Sequence, residues 1–150
     1  MTTVTPPDGF RHHTPIQVRW GDMDAMGHVN NATYLTYLEQ ARLQYFGEFM
    51  HMNAALTKPG FIMARVTLDY KLPLVATDDV HVFTRIVRFG GKSFDTEQWI
   101  MRRVGEDMEI AAQAIVTVVV YDYQAQRSTL MPDDWKQVIS AYEPHPISGA

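Results

Sequence analysis

One hundred and fifty residues with 46% hydrophobic and 20% charged side chains make a single ordinary globular domain rather than a disordered or fibrous chain. Thirteen Lys and Arg against seventeen Asp and Glu leave a net charge of −4, which argues against general adhesion to nucleic acid or anionic lipid. Cysteine is absent, so thiol nucleophiles, disulfide frameworks and Cys-bound zinc are excluded.

The N-terminal MTTVTPPD has neither a basic start nor an apolar run, so no signal peptide is expected. No stretch approaches the roughly 20 apolar residues of a membrane span, and the cytoplasm is the expected compartment. Residues 1–12 and 143–150, polar and proline-bearing, are expected as tails around one domain at 13–142.

From His13 to Trp20, the alternation of Ile16, Val18 and Trp20 with Gln17 and Arg19 reads as a short strand. A turn-rich stretch, Gly21 to Asn31, follows. From Ala32 to Met50 the apolar positions Tyr34, Leu35, Leu38, Ala41, Tyr45, Phe46 and Phe49 have helical spacing, with Asn30 or Asn31 as N-cap. The stripe is wide enough that the helix is expected to be largely enclosed. After Lys58-Pro59-Gly60 the period drops to two. Ile62, Ala64, Val66, Leu68 and Tyr70 then share one strand face. Further strands are read at 78–89, 92–104 and 108–123, with hairpin signals at Gly90-Gly91 and Gly105-Glu106-Asp107. A last helix starts at Pro132, with Asp133 and Asp134 at its positive end. Alternating βαβ units are missing, so the fold class is α+β: an antiparallel sheet curled around one long helix, with an uncovered edge that invites dimerisation.

The chemistry concentrates in Asp22, Asp24, His28, Asn30 and Asn31, immediately before the helix. A carboxylate beside free backbone N–H groups at a helix start can support acyl transfer, the N–H groups holding a developing oxyanion. The competing reading makes these residues turn formers and caps.

The run Arg19-Trp20-Gly21-Asp22-Met23-Asp24-Ala25-Met26-Gly27-His28-Val29-Asn30-Asn31, followed by Tyr34, Tyr37, Glu39, Ala41 and Arg42, resembles the hotdog-fold acyl-CoA thioesterases. It is most similar to the 4-hydroxybenzoyl-CoA thioesterase-like branch that includes long-chain acyl-CoA thioesterases. The resemblance implies a hotdog fold and thioester hydrolysis without metal or cofactor, coenzyme A being part of the substrate. It implies that Asp24 attacks the thioester carbonyl or activates water, that Gly27 permits the tight turn, and that the Asn31 backbone N–H polarises the thioester oxygen. His28 is then a general acid or a loop-locking donor, and Asp22 a hydrogen-bonding turn residue. Asn31 stands where the aromatic-acyl enzymes carry an aromatic residue, which favours fatty acyl groups. A homodimer or homotetramer is implied, with the Gly90–Ser93 hairpin lining the partner's site.

Beside that motif, Asn30 and Tyr34 are candidate substrate contacts, although Tyr34, Leu38 and Tyr45 also read as core. Ser93, and the cations Arg88, Lys92, Arg102 and Arg103, are candidates for the coenzyme A moiety and its phosphates. Glu39 and Arg42, three apart on the helix, are expected to form an ion pair. Met23, Met26, Phe46, Phe49, Met50, Met52, Phe61 and Met63 are expected to line an adaptable acyl pocket. No metal-ligand spacing is present, so no metal is expected. Aromatic acyl-CoA or acyl-carrier-protein hydrolysis, enoyl-thioester hydration and non-catalytic acyl-CoA binding are the alternatives.

Overall fold

The computed structural model describes residues 3–50 and 59–150, with 49 and 50 described by backbone alone. Strand β1 (His12–Ile16) leads through a 3-10 turn (Trp20–Asp22) to helix α1 (Thr33–Met50). Four long strands follow: β2 (Gly60–Tyr70), β3 (Asp79–Phe89), β4 (Ser93–Val104) and β5 (Asp107–Asp122). A two-residue β6 (Arg127–Ser128) and helix α2 (Asp133–Tyr142) close the chain. The strands form one antiparallel sheet in the order β1-β3-β4-β5-β2, with β6 beside β5. Its concave face grips α1, the hotdog arrangement that the resemblance implied.

The grip is hydrophobic. Leu38, Ala41 and Tyr45 from α1 meet Val82, Ile86, Phe94, Ile100, Val116 and Val120 from the sheet, all fully buried in one cluster. Burying a Leu- or Phe-sized side chain contributes about 1.5–3 kcal/mol, so this layer is a large favourable contribution to folding. Among the described residues no helix is long and apolar enough to cross a membrane.

Several expectations change. Strand β1 stops at Ile16 because Arg19 and Asp22 bind each other and turn the chain, leaving Trp20 80% exposed. Helix α1 is gripped on one side only: Leu35 and Leu43 lie on an open face, so the stripe is not enclosed within one protomer. In β2 the register slips between Met63 and Arg65, and Ala64 is the extra residue of a bulge. An extra residue reverses which face later side chains take. Phe61 packs on the core before the bulge and Val66 and Leu68 after it, while Ile62 is exposed. Helix α2 starts one residue later than expected, with Pro132 as its N-cap.

The segments expected as tails are also packed. Phe10 is buried against Phe83 and Trp99, and its ring carries the Arg85 guanidinium 4.4 Å from its centroid. At the other end Glu143 and Ile147 are buried. Single apolar or network-forming residues within polar stretches anchor these ends, a signal that average composition hides.

Candidate active site

Loop 22–31 is held from below by Asp22. Its buried carboxylate accepts from the Arg19 backbone N–H (3.0 Å), the Arg19 guanidinium (3.0 and 3.2 Å) and the Tyr37 hydroxyl (2.7 Å). Burial works to raise its pKa, but these donors outweigh it and hold the carboxyl below its ordinary range. Tyr37 is pushed upward by its own burial and by the Asp22 charge. The Asp22 carbonyl accepts from Asn30 N–H (2.8 Å), and Val29 N–H donates to the Leu74 carbonyl (2.8 Å). The base of the loop is therefore tied to α1 through Tyr37 and to the β2–β3 connection through Leu74.

Above this base the chain turns tightly. Asp24 N–H donates to the His28 carbonyl (2.7 Å) and Gly27 N–H to the Asp24 carbonyl (3.1 Å). Gly27 adopts φ +80°, a left-handed conformation that side chains with a Cβ disfavour. Asp24 Oδ1 accepts from the backbone N–H groups of Met26 (2.9 Å) and His28 (3.3 Å). Its Oδ2 has no hydrogen-bond partner among the described residues, and the residue is exposed. One oxygen is a fixed hinge and the other is available for chemistry.

The loop then runs into the helix start. Asn30 Oδ1 accepts from Ala32 N–H (2.9 Å), the hydrogen bond of an N-cap, and Asn30 C=O accepts from Thr33 N–H (2.9 Å). The Asn31 carbonyl accepts from the Tyr70 hydroxyl (2.7 Å), while its N–H donates to nothing among the described residues. An unpaired N–H in a helix's first turn is a ready donor to a developing negative charge. The His28 imidazole likewise meets no partner among them: the loop is locked by its backbone, not its ring.

Other candidates are placed differently. Tyr34 is 2% exposed, with its hydroxyl on the Leu72 carbonyl (3.2 Å) and its ring against Tyr70. Arg42 does not pair with Glu39. It turns inward to Gln98 Oε1 (3.0 Å), and fully buried Gln98 donates on to the Leu38 carbonyl and Thr84. Sequence reasoning missed Gln98, although a polar residue in the inward phase of Phe94, Thr96 and Ile100 marks it. It also left Tyr37 without a role, because a partner 15 residues away shows only in three dimensions, and left Arg19 without one although its partner Asp22 is only three residues on.

Among the cations, Arg88 is bound to Asp95 (2.6 Å), Arg102 to Glu109 and the Pro73 carbonyl, and Arg103 lies 4.0 Å from Asp79. Lys92 is exposed at the β3–β4 hairpin with no ion pair among the described residues. No group of three or more His, Cys, Asp or Glu among those residues could hold a metal ion.

The hairpin and the loop lie at opposite ends of the sheet. Asn31 is tied to Tyr70, which pairs with Ala112 and thence Ile100, whereas Ser93 begins β4 seven residues away. At about 3.3 Å per residue that is roughly 23 Å. One protomer does not bring Ser93 or Lys92 to Asp24.

Between α1 and β2 runs an open cleft of about 260 Å³ lined by Glu39, Arg42, Leu43, Phe46, Phe61 and Met63, among others. It continues toward Leu35 and Thr36 as a second hollow of about 110 Å³. Of the expected acyl-pocket residues, Phe46, Phe61 and Met63 line the cleft, Met23 packs on the core and Met26 is 80% exposed. Met52 and the side chains of Phe49 and Met50 lie outside the described residues.

Residues 18–139 match a family described as the thioesterase-like superfamily. The long-chain acyl-CoA thioesterase FadM of Escherichia coli K12 is 28% identical over 127 residues, 83% of this chain and 93% of that protein. The acyl-CoA thioesterase YbgC of Haemophilus influenzae is 26% identical over 81% of this chain and 89% of its own. A thioesterase of Thermus thermophilus, solved with coenzyme A and Zn, superposes with a TM-score of 0.82 at 31% identity, covering 94% of this chain and all of that one.

Proposed function

The chain belongs to the thioesterase-like superfamily, and from that premise we propose that it hydrolyses acyl-CoA thioesters to free acid and coenzyme A. The observation that carries this reading is Asp24: one carboxylate oxygen is pinned by two backbone N–H groups, and the other has no partner among the described residues, in a loop that runs on to Asn31, whose N–H has none among them either. In the general-base route, Asp24 takes a proton from water and the resulting hydroxide adds to the thioester carbonyl. The oxygen becomes an oxyanion on the Asn31 N–H, the C–S bond breaks, and the thiolate leaves with a proton returned from Asp24. In the nucleophilic route Asp24 Oδ2 adds instead, giving a mixed anhydride that water cleaves. One turnover in ¹⁸O-water that labels Asp24 establishes the anhydride, because water adding at the aspartyl carbonyl leaves its oxygen there, whereas the general-base route labels only the product acid. In the nucleophilic route, where Asp24 holds no proton to return, the exposed His28 imidazole is the proposed proton donor to the leaving thiolate. Gly27 and Asn30 hold the turn and the cap. The reaction as proposed needs no metal or cofactor.

We further infer a homo-oligomer. Among the described residues strand β2 pairs with β5 alone and leaves its other edge open, flanked by Met63 (51% exposed), Tyr70 and, across the cleft, Leu43 (53%). An open edge beside an apolar face favours a second copy. Two β2 edges meeting antiparallel about a two-fold axis bring the Ser93 end of one chain toward the partner's Asp24, which the separation of roughly 23 Å otherwise prevents. The pantetheine arm then runs between subunits, Lys92 faces the phosphates, and the acyl chain follows the α1–β2 cleft. The apolar cleft and the FadM likeness favour fatty over aromatic acyl groups. Thiol release from acyl-CoA tests the activity directly; binding without turnover would leave a non-catalytic acyl-CoA binder.

A further inference from the structure

Residues 143–150 lie outside the stretch that matches the family and take no part in the reaction above, yet they are firmly attached. The Ser148 carbonyl accepts from Phe89 N–H (2.8 Å) and Ser148 N–H donates to the Val87 carbonyl (3.1 Å). The pair makes a short parallel bridge at Arg88, where the β3–β4 register slips. Gly149 follows at φ +79°, so close that a Cβ there would stand 2.3 Å from the Phe89 carbonyl oxygen. Behind this contact Ile147 is buried in the main core, and buried Glu143 accepts from the Tyr45 hydroxyl and from Ile86 N–H (3.3 Å). The segment is a strap from the end of α2 across the last turn of β3.

What it holds is the hairpin. Strand β3 ends at Phe89, and Gly90 N–H closes the turn on the Ser93 carbonyl (2.7 Å). From the other side Met131 N–H binds the Gly91 carbonyl (3.0 Å) and Val120 N–H the Lys92 carbonyl (2.9 Å). Arg88 is fixed by Asp95, which also accepts from Thr117 (2.8 Å). A bulged strand end lacks a continuous ladder and is free to bend. The strap supplies the missing pairing at that point.

We propose that the C-terminal strap, through Ser148 and Gly149, is a positioning element that sets the direction of the Gly90–Ser93 hairpin and thereby the binding of the nucleotide end of coenzyme A. This rests on the reading of the hairpin as the part that meets the coenzyme A of the partner's site. The strap touches no reacting atom, so its effect falls on recognition rather than on the chemical step.

The test compares acyl-CoA with the S-acyl pantetheine of the same acyl group, which lacks the nucleotide phosphates. Two variants disturb the strap: Ser148→Pro removes the N–H that binds Val87, and Gly149→Ala meets the Phe89 carbonyl in a disfavoured conformation. Ser148→Ala is the control, because only the backbone of Ser148 is engaged among the described residues. The expected result is a rise of about five- to tenfold in KM for acyl-CoA, with kcat within about twofold and kcat/KM for S-acyl pantetheine unchanged. Wild-type behaviour of Ser148→Ala supports a backbone role. An unchanged KM for acyl-CoA in both variants overturns the proposal, and so does an equal loss with both substrates, which marks general structural damage. Equal efficiency of the wild-type protein on both substrates overturns it too. Absence of turnover with any thioester instead removes the hydrolase reading, and the proposal falls with it.

Discussion

Asp22 and Asp24 are two residues apart and, in the function proposed above, do opposite work, so their amides separate fold from chemistry. In Asp24→Asn the amide oxygen can keep the Oδ1 position and its bonds from Met26 and His28, so the loop survives. The open oxygen becomes an NH2 group that neither takes a proton nor attacks a carbonyl. Removing a general base or nucleophile lowers kcat by about 100-fold or more, about 2.7 kcal/mol of transition-state stabilisation. The site is exposed, so Tm should move by no more than about 2 °C. In Asp22→Asn a 4%-exposed anion that receives Arg19 and Tyr37 is neutralised. Charge-assisted bonds of this kind are worth about 1.5–3 kcal/mol, a Tm loss of roughly 4–10 °C for a domain of this size. Its kcat, measured well below the new Tm, should fall much less. Thiol release and thermal unfolding on both variants give the four numbers. An Asp24→Asn protein that keeps more than about a tenth of wild-type kcat refutes the catalytic assignment, whatever Asp22→Asn does.

Three further outcomes are expected. With fatty acyl-CoA, kcat/KM should rise with chain length through the medium to long range, because each buried methylene contributes about 0.8 kcal/mol; equal efficiency with benzoyl-CoA contradicts the fatty-acyl reading. Light scattering should give a dimer or tetramer, and Met63→Lys, which charges the open face beside β2, should lower both the mass and the activity; a monomer with full turnover rules out the shared site. Burial raises the Glu143 pKa from its ordinary 4.5, so the folded protein there binds a proton more tightly than the unfolded chain, and stability from this group is lost as pH rises from 4.5 through the folded value. Glu143→Gln keeps the oxygen that serves Tyr45 and Ile86 and should therefore flatten the fall in Tm over that window; parallel curves contradict the assignment.

The period change from helical spacing at Tyr34–Phe46 to alternation after Gly60 is local, and local patterns survive in a one-dimensional reading. So does the turn at Gly27, where one residue type meets one backbone requirement. The bulge at Ala64 escapes because Ile62, Ala64 and Val66 alternate faultlessly on paper; only pairing with Val118 and Thr117 shows the extra residue. The Asp24 motif is legible through its resemblance, whereas its support is not: Tyr37, Leu74 and Tyr70 reach it from distant parts of the sequence. The Glu39–Arg42 pairing fails for a similar reason, since Gln98 competes for the guanidinium from another strand.

The distance between loop and hairpin, with the shared site proposed above, has a genetic consequence. When the two halves of a site come from different chains, damage to each half is recessive to the other. A chain with Asp24→Asn still carries a sound hairpin, and a chain with a ruined hairpin still carries a sound Asp24. Random reassociation of equal amounts puts about half the population into mixed dimers, each with one complete site, so two nearly inactive parents should together recover about a quarter of the wild-type rate.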